Sequence, residues 1–227
     1  MATTFKQFMS ESINDKGVLK AVFVVGMPGA GKSYTVSRIS GGVSPRIVNT
    51  DVSTEFLVKK WGIESNDETW SLFSDKTKKM TKVALRNYLN GLLPLFIDGT
   101  SNSASNILKR IGLLESLGYD VGMVFVDVDP DVAKQRILDR AKTTGRHVDL
   151  SFIDETIKKN KANKAYFKSK IGFFKEYVND GSDTSNEELE KMFKTVQGFF
   201  EGDILNPVGQ RRLEQMKDEK QAYLSPA

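Results

Sequence analysis

The sequence predicts an α/β protein in which a parallel β-sheet lies between two layers of helix, a three-layer α/β/α arrangement. Three observations carry this. Apolar, β-branched runs of strand length recur at 18–25, 45–49, 92–97 and 121–128. Stretches with helical periodicity separate them, at 33–39, 67–90 and 103–117, and a fourth follows at 131–142. The last three runs each lead into a polar turn with an aspartate. Parallel neighbours need a crossover connection, and a helix between successive strands supplies it.

The first run, VLKAVFVV, has the β-branched apolar character of a strand covered on both faces. PRIVN, LLPLFI and VGMVFVDV continue the pattern as the second, third and fourth strands. Beyond residue 150 the chain reads as a lysine-rich helix over 151–170, a last strand over 172–178 (GFFKEYV) and an amphipathic helix over 187–200. Asn206-Pro207 interrupts the charged end, which reads as a short helix on a mobile linker. Phe5, Phe8 and Met9 at helical spacing predict a short helix ahead of the fold, packed against its edge. The division is one domain over 18–201, an N-terminal extension over 1–17 and a tail over 202–227.

Composition narrows the class. A hydrophobic fraction of 39% and a charged fraction of 27% are those of a water-soluble globular chain. No apolar run reaches bilayer length, and no signal peptide opens the sequence. The expected location is cytoplasmic, a host cytoplasm if the chain is phage-encoded. With no cysteine and one histidine, His147, thiolate or histidine-cluster metal sites are excluded. A net charge of +4 permits an anionic partner without demanding one.

The sharpest motif is Gly26-Met27-Pro28-Gly29-Ala30-Gly31-Lys32-Ser33, a full match to G-x-x-x-x-G-K-[ST]. It follows a predicted strand and opens a predicted helix, as the chemistry requires. Glycine at 26, 29 and 31 lets backbone amides turn toward phosphate oxygens, and the helix that continues through Tyr34 adds its positive end. Lys32 would reach the β- and γ-phosphates and Ser33 would ligate Mg²⁺. Such a loop implies triphosphate binding, but motors, switches and kinases all carry one.

Ligands of open α/β sheets bind at the carboxyl ends of strands, so the aspartates there are the next candidates. Asp51 follows the second strand and reads either as a general base for an acceptor hydroxyl or as a helix cap, with Ser53 a competing cap. Asp98 follows the third strand in the Walker-B manner, with Thr100 close by as a second oxygen. Asp129-Pro130 after the fourth strand reads as a cap with proline at the first helical position. Arg136 and Arg140 share one face of the following helix, and Arg146 lies in the loop beyond it. From a segment over the phosphates these arginines would neutralise charge on the transferred group.

Taken together, GMPGAGKS, VNTD, FIDGT and the segment GYDVGMVFVDVDPDVAKQRILDRAKTTGRHVD resemble the small P-loop kinases that include zeta-toxin kinases and bacteriophage-type polynucleotide kinases. The resemblance spans about 18–178. It implies a kinase-type P-loop fold with a lid at about 140–150, ATP and Mg²⁺ as cofactors, Asp51 as the acceptor-activating base, and Arg140 and Arg146 on the γ-phosphate. Zeta-toxin kinases usually carry glutamate where Asp98 stands and arginine where Asn102 stands. The string Asp98-Gly99-Thr100-Ser101-Asn102 is closer to the acceptor element of polynucleotide kinases, some of whose phage relatives phosphorylate hydroxymethylated pyrimidines in DNA.

The acceptor implied is therefore a hydroxyl on a nucleotide or nucleic acid, DNA included, touched by Asp51, Asp98, Thr100 and Asn102. A nucleotide-sugar kinase, a P-loop ATPase without an acceptor, and a nucleotide-binding assembly protein remain as rivals. Lys158, Lys159, Lys161, Lys164, Lys168 and Lys170 run beside Tyr166 and Phe167. They read either as a nucleic-acid track or as a solvated helix face over two core aromatics.

Overall fold

The computed structural model describes residues 15–64, 66–144 and 150–224. The predicted N-terminal helix and the loop that holds Arg146 and His147 lie outside them. Five strands, β1 (Lys20–Gly26), β2 (Arg46–Val48), β3 (Leu95–Thr100), β4 (Asp120–Asp127) and β5 (Phe173–Val178), form one sheet in the order β2-β3-β1-β4-β5. Every neighbouring pair is parallel. Strand β1 is central and all of its residues are buried, which is why its sequence shows no polar alternation.

Helices α1 (Lys32–Ile39), α2 (Thr50–Trp61), α3 (Asp67–Asn90), α4 (Ala104–Ser116), α5 (Pro130–Thr144), α6 (Leu150–Lys170), α7 (Asp183–Glu201) and α8 (Pro207–Leu224) complete the described chain. One sheet face packs Phe23, Ile97 and Phe125 against Ile107, Ile111 and Leu114 of α4 and Phe167 of α6. The other packs Phe96, Val124 and Val126 against Val36 and Ile39 of α1 and Leu189, Val196 and Phe200 of α7. Full burial of each phenylalanine contributes roughly 1.5–3 kcal/mol.

Three local readings change. The third strand starts at Leu95 instead of residue 92, because Leu92 adopts a positive φ of 55° and Pro94 has no N–H to donate. At its other end the strand runs on through Asp98 to Thr100 by pairing with β1, with Asp98 opposite Val24 and Thr100 opposite Gly26. Helix α2 was absent from the periodicity reading, since Thr50, Val52, Thr54 and Val58 are weak helix formers. It is held by Asn49 at its start, by Gly62 at φ 63° at its end, and by packing on α3, where Trp61 meets Phe73 edge-on and Thr54 and Leu57 are buried. Finally, the linker before α8 is clamped. Lys20, 3% exposed, pairs with Asp120 at 2.8 Å, and Asp120 accepts from the backbone N–H groups of Leu205 and Asn206. Asn206 then caps α8 through the Val208 N–H, and Leu213 and Met216 pack on the core.

Candidate active site

The carboxyl ends of β1, β2 and β3 open into a cleft of about 520 Å³. Pro28, Gly29 and Gly31 line it from the loop after β1, Lys32, Ser33 and Tyr34 from the first turn of α1, and Asp51, Asp98, Thr100 and Arg140 from elsewhere. Gly26, Met27 and Ala30 form the buried underside of the loop. Asn102 is not part of the lining. Its neighbour Ser101 is fully buried and donates to Asn160, and the Asn102 Oδ1 has no hydrogen-bond partner among the described residues.

The loop is shaped by what lies behind it. Gly29 and Gly31 hold φ of 79° and 85°, a region that side chains disfavour. A Cβ on Gly26 would strike the Val126 carbonyl, one on Gly29 the Ala133 carbonyl, and one on Gly31 the Asn179 amide. Asn179, just past β5, donates from Nδ2 to the Ala30 carbonyl at 2.9 Å and from its backbone N–H to the Asp127 backbone carbonyl at 2.8 Å. Arg136 donates to the Asn179 carbonyl at 3.1 Å, so this arginine braces the loop as well as lining the cleft. The Lys32 ammonium rests at 3.1–3.2 Å from the carbonyls of Met27 and Gly26, beside the first turn of α1.

Asn49 organises the other side. Its Oδ1 accepts from the Asp51 N–H at 2.8 Å and caps α2, while its Nδ2 donates to Asp98 Oδ2 at 2.8 Å. One amide thus starts the helix that carries Asp51 and orients the Asp98 carboxylate. The cap role left open for Asp51 belongs to Asn49, and Ser53 instead meets Thr81 of α3 at 3.2 Å. Asp129 is a cap, accepting from the N–H groups of Asp131 and Val132.

Arg110 of α4 also lines the cleft. Its guanidinium lies 5.6 Å from the centre of the buried Phe23 ring. Desolvation there holds its pKa below the ordinary arginine value, while the Asp98 charge pulls it back up. Lys32, Arg110, Arg136 and Arg140 outnumber Asp51 and Asp98, so among the described residues the cleft is cationic, as a polyphosphate site requires.

Behind the strand ends, Asp127 accepts from Lys164 at 2.8 Å and from Asn160 at 3.3 Å, fixing α6 to β4. The Asp127 contact raises the Lys164 pKa despite some desolvation. Lys159 pairs with Glu155 and Lys168 with Glu176, and Phe167 is buried while Tyr166 is half exposed. Helix α6 therefore buries one of the two aromatics, and among the described residues Lys159, Lys164 and Lys168 are paired with acidic groups.

Asn49, Thr81, Arg110 and Asn179 were not among the sequence candidates. Asn49 had a signal, an asparagine two residues before an acid at a helix start. Arg110 had another, a charge inside the stripe Ile107, Ile111, Leu114. Thr81 and Asn179 reach the site only through tertiary packing.

A family model described as Zeta toxin matches residues 9–185. The chain belongs to that family. Its fold is similar to that of a Chloroflexus aurantiacus protein with a provisional kinase name, at 14% identity and a TM-score of 0.58 over 79% of this chain and 97% of that one. It is similar to a structure from the PezAT toxin–antitoxin system of Streptococcus pneumoniae, at 18% identity and 0.56 over 96% and 93%. A chain of the Pnkp1/Rnl/Hen1 RNA repair complex matches at 21% and 0.52 over 68% of this chain and 48% of that one. No curated protein matches the sequence. The Zeta toxin family member thus has the kinase-type P-loop fold that its motifs predict, and family and fold together support a phosphotransferase. Among the described residues no helix is long and apolar enough to cross a membrane.

Proposed function

We propose that this chain is an ATP-dependent kinase that transfers the γ-phosphate to a hydroxyl of a nucleotide or nucleic-acid acceptor. One observation carries the reading: Asp51, relieved of capping by Asn49, faces the same cleft as Lys32 and Ser33. The loop amides, Lys32 and the α1 N-terminus hold the triphosphate, with the Tyr34 ring exposed at the rim. Asp51 accepts the acceptor proton, Asp98 and Thr100 orient the acceptor, and Arg140, with Arg146 further along the chain, offsets charge on the moving phosphoryl group. Phosphoryl transfer asks mainly for positioning and charge, which this cationic cleft offers.

Ser33 and the single carboxylate of Asp98 suit Mg²⁺, which keeps few protein ligands and completes its shell with water and phosphate oxygens. When bound, the ion would neutralise phosphate charge between those two side chains.

The nucleic-acid side of the proposal draws on the α2–α3 hairpin that supplies Asp51 and Thr81. Exposed Phe56 lies under Lys60 and exposed Trp61 under Lys76, with Lys79, Lys82 and Arg86 exposed further along α3. Aromatics beside cations suit a stacked base and its backbone. Family membership favours a second reading, a nucleotide sugar as acceptor.

The deciding experiment offers labelled ATP with DNA bearing 5′-hydroxyl ends, DNA bearing hydroxymethyluracil, and nucleotide sugars. The proposal expects label retained on a nucleic acid. Label on the sugar alone selects the second reading, and phosphate release with no labelled acceptor rejects both.

A further inference from the structure

Arg110 stands apart from the other cations of the cleft. Arg136 is spent on the Asn179 carbonyl, and the Lys32 ammonium lies against loop carbonyls. Among the described residues, Arg110 has no hydrogen-bond acceptor and no carboxylate within ion-pair distance. The Asp98 charge acts on it, and the Asp98 Oδ2 accepts from the Asn49 amide.

Its placement is nonetheless fixed. Ile107 and Ile111 anchor α4 to the sheet at 4–5% exposure, and the Arg110 guanidinium lies over Phe23, whose ring is fully buried. An arginine stacked on an aromatic face gives up part of its hydration and presents a planar fork of N–H donors. Such a fork matches two oxygens of a phosphate, and partial desolvation leaves the attraction less screened than at the surface.

The neighbourhood indicates which phosphate. The loop after β1, α1 and Arg140 surround the place where the donor phosphates belong. Arg110 enters from the helix that leaves β3, on the side lined by Asp98.

We propose that Arg110 is an anion-binding residue of the acceptor pocket, holding a phosphate or phosphodiester group of the acceptor beside the hydroxyl that is phosphorylated. The acceptor class is then a phosphate-bearing alcohol, a nucleotide, a strand or a nucleotide sugar, and not a free nucleoside or an uncharged sugar. This rests on the kinase reading above for the meaning of "acceptor", but the anion site itself does not depend on any transfer taking place.

Binding tests it without turnover. The full chain is saturated with a non-hydrolysable ATP analogue and Mg²⁺, and inorganic phosphate is then titrated calorimetrically into wild type, Arg110→Ala and Arg110→Lys. Wild type is expected to bind phosphate on top of the analogue. Arg110→Ala should weaken that binding by about 10- to 100-fold, the range for losing a charge-assisted paired contact. Arg110→Lys should fall between, because a point charge keeps the attraction and loses the fork. Equal melting temperatures and equal analogue affinities in all three would show that neither the fold nor the donor site has moved. Phosphate binding that is unchanged in Arg110→Ala, or that vanishes in wild type once the analogue is bound, would overturn the proposal. Failure of the kinase reading would appear separately, as absent transfer in the acceptor panel.

Discussion

The two sides of the cleft are built in different ways. The loop side is a backbone surface: three glycines, two of them at positive φ, pressed from behind by β4, α5 and Asn179. The opposite side is a set of side chains from separate elements, Asp51 from α2, Thr81 from α3, Asp98 from β3 and Arg110 from α4. A backbone surface demands particular residues at consecutive positions, whereas a side-chain surface needs only that the topology bring distant residues together. The first is therefore written in the sequence as a motif, and the second is free to change its ligand chemistry without disturbing the fold.

The largest effect that would sharpen this contrast is loss of the loop's charge. Lys32→Ala should lower transfer about a thousandfold, the upper range for removing a group aimed at developing charge. Rapid-quench assays against wild type would measure it, and near-normal turnover would break the assignment of the loop side. Asn179→Ala comes next. It removes the buried hydrogen bond to the Ala30 carbonyl, so about 1–3 kcal/mol of stability should be lost in denaturant melts, with weaker nucleotide binding. An unchanged melt would mean that the loop keeps its shape without its rear brace.

Asn49→Ala probes the opposite side. Losing the α2 cap should cost about 1 kcal/mol. Releasing Asp98 and Asp51 from their shared amide should lower kcat while leaving the affinity for an ATP analogue unchanged. A parallel loss of analogue affinity would show that the two sides are not separable. The smallest effect concerns the polar anchor of α6. Because Asp127 raises the Lys164 pKa, the folded value exceeds the unfolded one, near 10.5. The pair's contribution is thus fully present below that value and is lost as pH climbs through the folded value. Wild type should lose melting temperature more steeply than Lys164→Met above about pH 10.5, by a modest amount since the pair is partly solvated. Parallel pH profiles would remove the pair from the stability account.

How much the sequence disclosed follows the same division. The parallel sheet and the phosphate loop were legible because parallel strands and glycine turns leave local signatures, as in KAVFVVG followed by MPGAGKS, whereas the strand order was not. Helix α2 was not, because its β-branched residues contradict its conformation and the packing on α3 that overrides them, such as Trp61 on Phe73, comes from residues further along the chain. Asp51 and Asp98 could be named from their strand ends, yet the amide that joins them, Asn49, showed itself only once β2 and β3 were paired. Arg110 was hidden by its helix, where a charge in an apolar stripe reads as a lapse in pattern until the cleft beside it is seen.

The measurement closest to the centre of this account is a paired assay on Asp51→Asn: equilibrium binding of an ATP analogue, and transfer of labelled phosphate to whichever acceptor the panel identifies. The account predicts analogue affinity within about twofold of wild type and transfer reduced by at least about a hundredfold, the scale of a lost general base. Transfer at the wild-type rate in that variant would contradict it.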